Sequence, residues 1–232
     1  MDIALALTFV TKDEAWLKKV LIGGLVSLIP IVGFLILYGY GVRIARNVIS
    51  GVPNPLPEWD DIGGDLSRGF FLAVGSLIWA LPIYVLYFCT FLLGTVSDDA
   101  GGILSLFINI CLIFPLSALF GIFVSPTLVG RFAITNDFKS MLQFNEVFAT
   151  IRGIGIGPYV MYLVLAIVAG FVGALGLIAC FIGVIFTLAY AMFAQFHGAG
   201  QLARLAPNTP GAACGRDRLP RLLALRLRRF TN

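Results

Sequence analysis

The sequence predicts an all-α fold, a polytopic integral membrane helical bundle, and three observations carry that prediction. Fifty-one residues between Arg152 and Arg204 contain no Asp, Glu, Lys or Arg. Between Arg68 and Arg131 the only charges are Asp98 and Asp99. The whole chain of 232 residues is 59% hydrophobic and only 12% charged, about half the charge of a soluble domain. A spanning helix needs about 20 mostly apolar residues, so each charge-poor stretch holds an out-and-back pair.

Taken in order, the elements form one membrane domain over residues 1–206, followed by a basic tail over 207–232. The first hydrophobic segment, 20–42, has two readings. Its length suits one crossing, but a crossing would leave Lys12, Lys18 and Lys19 on the outer side, against the charge rule for membrane loops. Pro30 and Gly33 sit midway, and proline removes a backbone donor, so a re-entrant hairpin with both ends on one side is the alternative. An interfacial linker, 43–69, leads to a first hairpin, 70–128, with spans Phe70 to Leu93 and Ile103 to Leu128. A second linker, 131–153, leads to a second hairpin, 154–197, with spans Pro158 to Phe171, extended by its flanks, and Leu175 to Gln195. Four spans therefore accompany the N-terminal span or hairpin.

Neither hairpin turn carries a positive charge, whereas Arg43, Arg46, Arg68, Arg131, Lys139, Arg152 and Arg204 all fall in the linkers or after the last span. Excess Lys and Arg mark the cytoplasmic side, which places both linkers there and the chain in the cytoplasmic membrane. The formal net charge of +4 is misleading, because Arg216, Arg218, Arg221, Arg226, Arg228 and Arg229 crowd the tail. Such a segment suits anionic lipid headgroups, not a nucleic-acid-binding domain. Pro220 opens a stretch, Leu219 to Phe230, that reads as a basic amphipathic surface helix. Cys89, Cys111, Cys180 and Cys214 lack paired spacing and read as small apolar fillers where they lie in spans. No cleavable signal peptide is evident.

An internal parallel repeat links the halves. Arg46 stands thirteen residues before Trp59, and Arg131 thirteen before Phe144; Trp59 is followed by Asp60 and Asp61 and Phe144 by Asn145 and Glu146, and each then by Arg-Gly and a span. Phe9 to Lys19 is a third echo. The repeated unit is expected to be a short cytoplasmic interfacial helix leading into a membrane hairpin. Repeats are common in transporters, but duplication also builds inert bundles.

The stretch Trp16, Lys18, Lys19, Gly23, Gly24, then Gly39, Tyr40, Arg43 and Arg46, then Gly51, Leu56, Pro57, Glu58, Trp59, Asp60, Asp61 and Gly69 resembles the domain of unknown function 4013 family of bacterial and archaeal multi-pass membrane proteins. The likeness runs to about Gln201 and Leu202. It implies membrane location and no assigned activity.

The residues singled out as interfacial or partner-binding are Arg43, Arg46, Glu58, Trp59, Asp60, Asp61, Arg131 and Glu146. Pro57 followed by carboxylates reads first as a helix start, and the arginines as anchors at the span ends. The sharper expectation is that Arg46 and Arg131 pair with Asp60, Asp61 or Glu146. His197 is the lone histidine and Gly153, Gly155 and Gly157 lack the Lys-Ser or Lys-Thr of a phosphate loop, so no catalytic, cofactor or metal residue is proposed. Pumps usually bury ionisable groups in the bilayer, and the four spans hold none. The expectation is a non-catalytic membrane component engaging membrane lipids or another membrane protein. The alternative is a transporter, channel or lipid-handling protein built on the repeated hairpins.

Overall fold

The computed structural model describes residues 1–96, 99–176 and 182–207. The basic tail from residue 208 onward, with its expected surface helix and Cys214, lies outside them, as do Asp98 and Cys180. Among the described residues every regular element is helical. Four helices are long and apolar enough to cross a membrane: Val32–Ser50, Ile62–Thr95, Ala100–Thr135 and Ile156–Leu175.

Helix α1 (Ile3–Thr8) is capped by Asp2, whose carboxylate accepts from the Leu5 amide at 2.9 Å. After a 3-10 turn, α2 (Trp16–Ser27) and α3 (Val32–Ser50) replace the single segment 20–42. The break is local chemistry. Pro30, Ile31 and Val32 make a three-residue turn in which the Val32 amide donates to the Pro30 carbonyl at 2.7 Å and Ile31 takes φ 64°, a conformation unfavourable for a β-branched residue. Helix α2 has 12 residues, too few for a crossing. It runs back along α3: Lys19 of α2 bonds the Leu56 carbonyl and accepts from Trp59, both just past the end of α3, so the segment is a hairpin whose two ends lie at one end of the bundle. Helix α3 continues past Arg43 and Arg46 and ends at Gly51, where φ 75° closes the last turn with Val52 donating to Asn47. The linker is therefore 51–61, shorter than the 43–69 expected, because the two arginines remain helical.

Helix α4 (Ile62–Val96) starts behind Asp61, which caps the Gly64 amide at 3.0 Å. It crosses α3 at Gly39 and Gly69, where the backbones meet with no room for a Cβ. The return path is α5 (Asp99–Ile108), a π turn (Asn109–Ile113), α6 (Phe114–Leu119), a second π turn (Phe120–Val124) and α7 (Ser125–Thr135). Pro115 and Pro126 each follow a π turn within two residues. A proline cannot donate to the preceding turn, and a widened ladder accommodates it. Helix α4 passes through Pro82 as one helix. Short α8 (Lys139–Leu142) and amphipathic α9 (Phe144–Ile154) then lead to α10 (Ile156–Leu175) and α11 (Ile182–Leu205). Of the two linkers, only the second thus forms separate helices; after Trp59 the chain enters α4 directly.

Helix α11 packs against α2, α3, α7 and α10. One core cluster centres on Leu128, Phe132, Tyr159, Leu165 and Leu202, the other on Leu37, Tyr40, Ile44 and Phe193. Burial is lopsided. In the most apolar window of α3, 56% is inside the protein, against 6% for Ala100–Thr135, so the α4–α5 arm leaves the bundle with bare apolar sides. Such a surface is stable in lipid and a liability in water.

Candidate functional site at the linker-bearing end

The first linker is an extended strap, and its backbone explains the sequence around it. Buried carbonyls need donors, and four consecutive ones are met by four different side chains. Asn47 donates to Pro55 at 3.0 Å, Lys19 to Leu56 at 3.2 Å, Tyr40 to Pro57 at 2.6 Å and Arg43 to Glu58 at 3.1 Å. The donors come from α2 and α3, so the strap locks the hairpin. Trp59 closes it: its ring stacks on Tyr40 at 4.0 Å and 10°, and its Nε1–H donates to the Lys19 carbonyl at 3.0 Å.

Ion pairs surround the strap. Lys19, 3% exposed, bridges Asp13 at 2.8 Å and Glu58 at 2.6 Å. Burial alone would push its ammonium pKa down; hydrogen bonds to Asp13 and Glu58 outweigh that and hold it above the usual lysine value. Asp65 is fully buried and lies between Arg43, at 3.2 Å, and Arg68. Arg43 also holds Asp60 at 2.7 Å, and Arg68 holds Asp61. Hydrogen bonds from Arg43 and from Arg68 keep the Asp60 and Asp61 carboxyls below the usual carboxylate range.

Arg43, Glu58, Trp59, Asp60 and Asp61 are thus brought together. Arg46 is not with them. The expectation that it pairs with a carboxylate is corrected: it donates to the Ala133 carbonyl at 2.9 Å and to Asn136 Oδ1 at 2.9 Å. These groups end α7, where unpaired carbonyls and the helix dipole favour a cation. Arg131 satisfies its own linker, donating to Ser140 O at 3.1 Å, Gln143 Oε1 at 3.0 Å and Thr150 Oγ1 at 3.2 Å. Its contact with Glu146 is 3.9 Å long to a carboxylate that is 57% exposed, an arrangement worth little. The sequence reading missed Lys19, Tyr40, Asp65 and Asp13 as members. Lys19 and Tyr40 nonetheless stand in the motif that carries the family resemblance, Asp65 closes the acidic run that begins at Glu58, and Asp13 belongs to the third echo of the repeat.

Each basic group already has partners, and among the described residues no group of three or more His, Cys, Asp or Glu is placed to hold a metal. His197 is 3% exposed, stacked on Phe9 at 4.3 Å, and accepts from Gln201 Nε2 at 3.2 Å. Gln201 in turn exchanges two hydrogen bonds with the Asp2 backbone, so this histidine holds α1 onto α11.

A family model described as a protein of unknown function, DUF4013, matches residues 22–182. The uncharacterized protein MJ1189 of Methanocaldococcus jannaschii is 30% identical over 153 residues, covering 64% of this chain and 48% of that protein. The chain therefore spans about half the length of this relative. No solved structure matches.

Proposed function

The chain belongs to the DUF4013 family of proteins of unknown function, and from that premise we propose that it is a non-catalytic membrane component whose bare arm engages a partner within the membrane. The supporting observation is the division of labour between charge and exposed surface. Arg43, Glu58, Asp60 and Asp61 are spent, with Lys19, Asp65 and Arg68, on holding α2, α3, α4 and the strap to one another, while Arg46 and Arg131 hold the end of α7 and the second linker. The apolar arm of α4 and α5, by contrast, meets little of its own chain. Helix association in lipid relies on packing of such faces.

Cys89 on α4 and Cys111 in the first π turn are free and exposed on the arm, which makes them native handles. Membrane-permeant bismaleimide cross-linking in intact membranes, followed by mild-detergent purification and mass spectrometry, should yield a defined adduct with one protein at fixed stoichiometry. Replacing Phe107, 63% exposed on α5, with Ala should weaken it. A chain that stays free of protein adducts and purifies alone would remove this reading. A second reading, transport or lipid handling, draws on the two π turns in the return helix, a distortion frequent at functional sites.

A further inference from the structure

Many polar side chains within the helices of this protein satisfy themselves. Ser27, Thr90, Ser105, Asn109, Ser117, Thr127 and Thr187 each donate to a helix carbonyl at 2.6–3.3 Å. This is the behaviour lipid demands, since no water replaces a missing partner there. Six of those that do not lie together. Tyr38, Ser76, Tyr84, Ser125, Tyr162 and Gln195 line one groove of about 690 Å³ between α3, α4, α7, α10 and α11, and among the described residues none of the six has a side-chain hydrogen bond.

Tyr162 is the most telling. It is 6% exposed, yet no buried polar side-chain atom among the described residues lacks a partner, so its hydroxyl must reach open space. The groove is the open space it lines. The rest of the lining is apolar, Phe34, Phe70, Leu77 and Phe120 among it, and contains no Asp, Glu, Lys or Arg. Its volume is in the range of small-molecule sites, and it opens beside residues that are half-exposed on the flank of the bundle, with Phe34 at 47% and Phe70 at 50%.

We propose that this groove binds one bilayer lipid with an uncharged, hydroxyl- and carbonyl-bearing head, which hydrogen-bonds to Tyr162, Gln195 and the neighbouring hydroxyls while its chain lies along Phe34, Leu77 and Phe120. A charged head is disfavoured because the groove offers it no counter-charge. A second helix is a poorer occupant, because its backbone donors and acceptors are already paired within it, leaving the five hydroxyls and the amide unmet. The proposal does not depend on the arm having a protein partner, and it is tested on the isolated full-length chain.

The test is native mass spectrometry of the purified protein loaded with dioleoylglycerol or with dioleoylphosphatidylglycerol. The wild type should hold one dioleoylglycerol in preference to the charged lipid. Tyr162→Phe combined with Gln195→Leu keeps the shape of the groove and should lower retention about tenfold, as expected from one to two lost hydrogen bonds. Leu77→Trp, at a lining position 55% exposed and so tolerant of bulk, should block loading without lowering the melting temperature; it decides the matter if the double variant does not fold. Equal retention of the two lipids, undiminished loading of both variants, or a second copy of the chain in place of lipid would each overturn the proposal.

Discussion

Substituting Gly39 with Ala should separate the two helices that carry the ion-pair cluster. A Cβ at Gly39 would be driven into the backbone of Asp65, and one at Gly69 into the backbone of Leu35, far inside the 3.0 Å that real Cβ atoms keep. Backbone carbonyls cannot rotate aside as side chains do. Helices α3 and α4 would have to part locally by at least about 1 Å, which forfeits a quarter to a half of each dispersion contact at the crossing. It also stretches the 3.2 Å pair between Arg43 and the buried Asp65 just beside it. Overpacking costs about 1–3 kcal/mol, and adding the strained pair puts Gly39→Ala near 3 kcal/mol, roughly a 6–12 °C drop in melting temperature for a chain of this size. Gly63→Ala on α4 and Gly170→Ala on α10 meet nothing within 4 Å and should be neutral or slightly stabilising, since Ala is the better helix former. The assay is thermal unfolding of detergent-purified protein. A Gly39→Ala melting temperature within about 1 °C of the Gly63→Ala control would refute the close-crossing argument.

Asp65→Asn leaves Arg43 and Arg68 facing a neutral amide in a site where the carboxylate is fully buried; a loss of about 3 kcal/mol is expected, at the low end for a broken buried pair because both arginines retain some solvent, and a denaturation midpoint equal to wild type would contradict it. Arg46→Ala strips α7 of the donor at Ala133 and Asn136, and folded yield in membranes should fall with a stability loss of about 2 kcal/mol; unchanged yield and melting would make that contact idle. Asp60 and Asp61 have pKa values lowered by Arg43 and Arg68, so their stabilisation is complete above the unfolded carboxylate pKa of about 4 and is lost as pH falls below it. Lys19, whose pKa is raised, contributes below the unfolded lysine value of about 10.4 and loses that contribution as pH climbs past it. Melting temperature against pH should therefore fall at both extremes, and the Lys19→Met variant should lose the alkaline limb; an unchanged alkaline limb would show that another group sets it.

Much of the architecture was legible because the bilayer imposes a composition on whatever crosses it. Charge-free runs pointed to α4, to the return path from α5 to α7 and to α10, and Pro30 pointed to the break between α2 and α3. Linker boundaries were less legible. Arg43 and Arg46 read as residues outside a span, whereas both lie on α3, because a helix end is set by Gly51 and its left-handed backbone and not by where charge begins. The strap was visible only as a motif: Leu56 to Asp61 looked like a helix start, and capping chemistry does operate there, but at Asp61 alone.

By itself the sequence determined the helical class and the presence of helices able to cross a membrane, since both follow from local apolar length. Tertiary structure alone decided the partners. Lys19 reaches Leu56 and Glu58, thirty-seven and thirty-nine residues away, and Arg46 reaches Asn136, ninety residues away. The order of charges along a chain does not specify which helices cross, and the close approach of α3 to α4 and of α3 to the end of α7 selects one carboxylate or carbonyl among several of similar affinity.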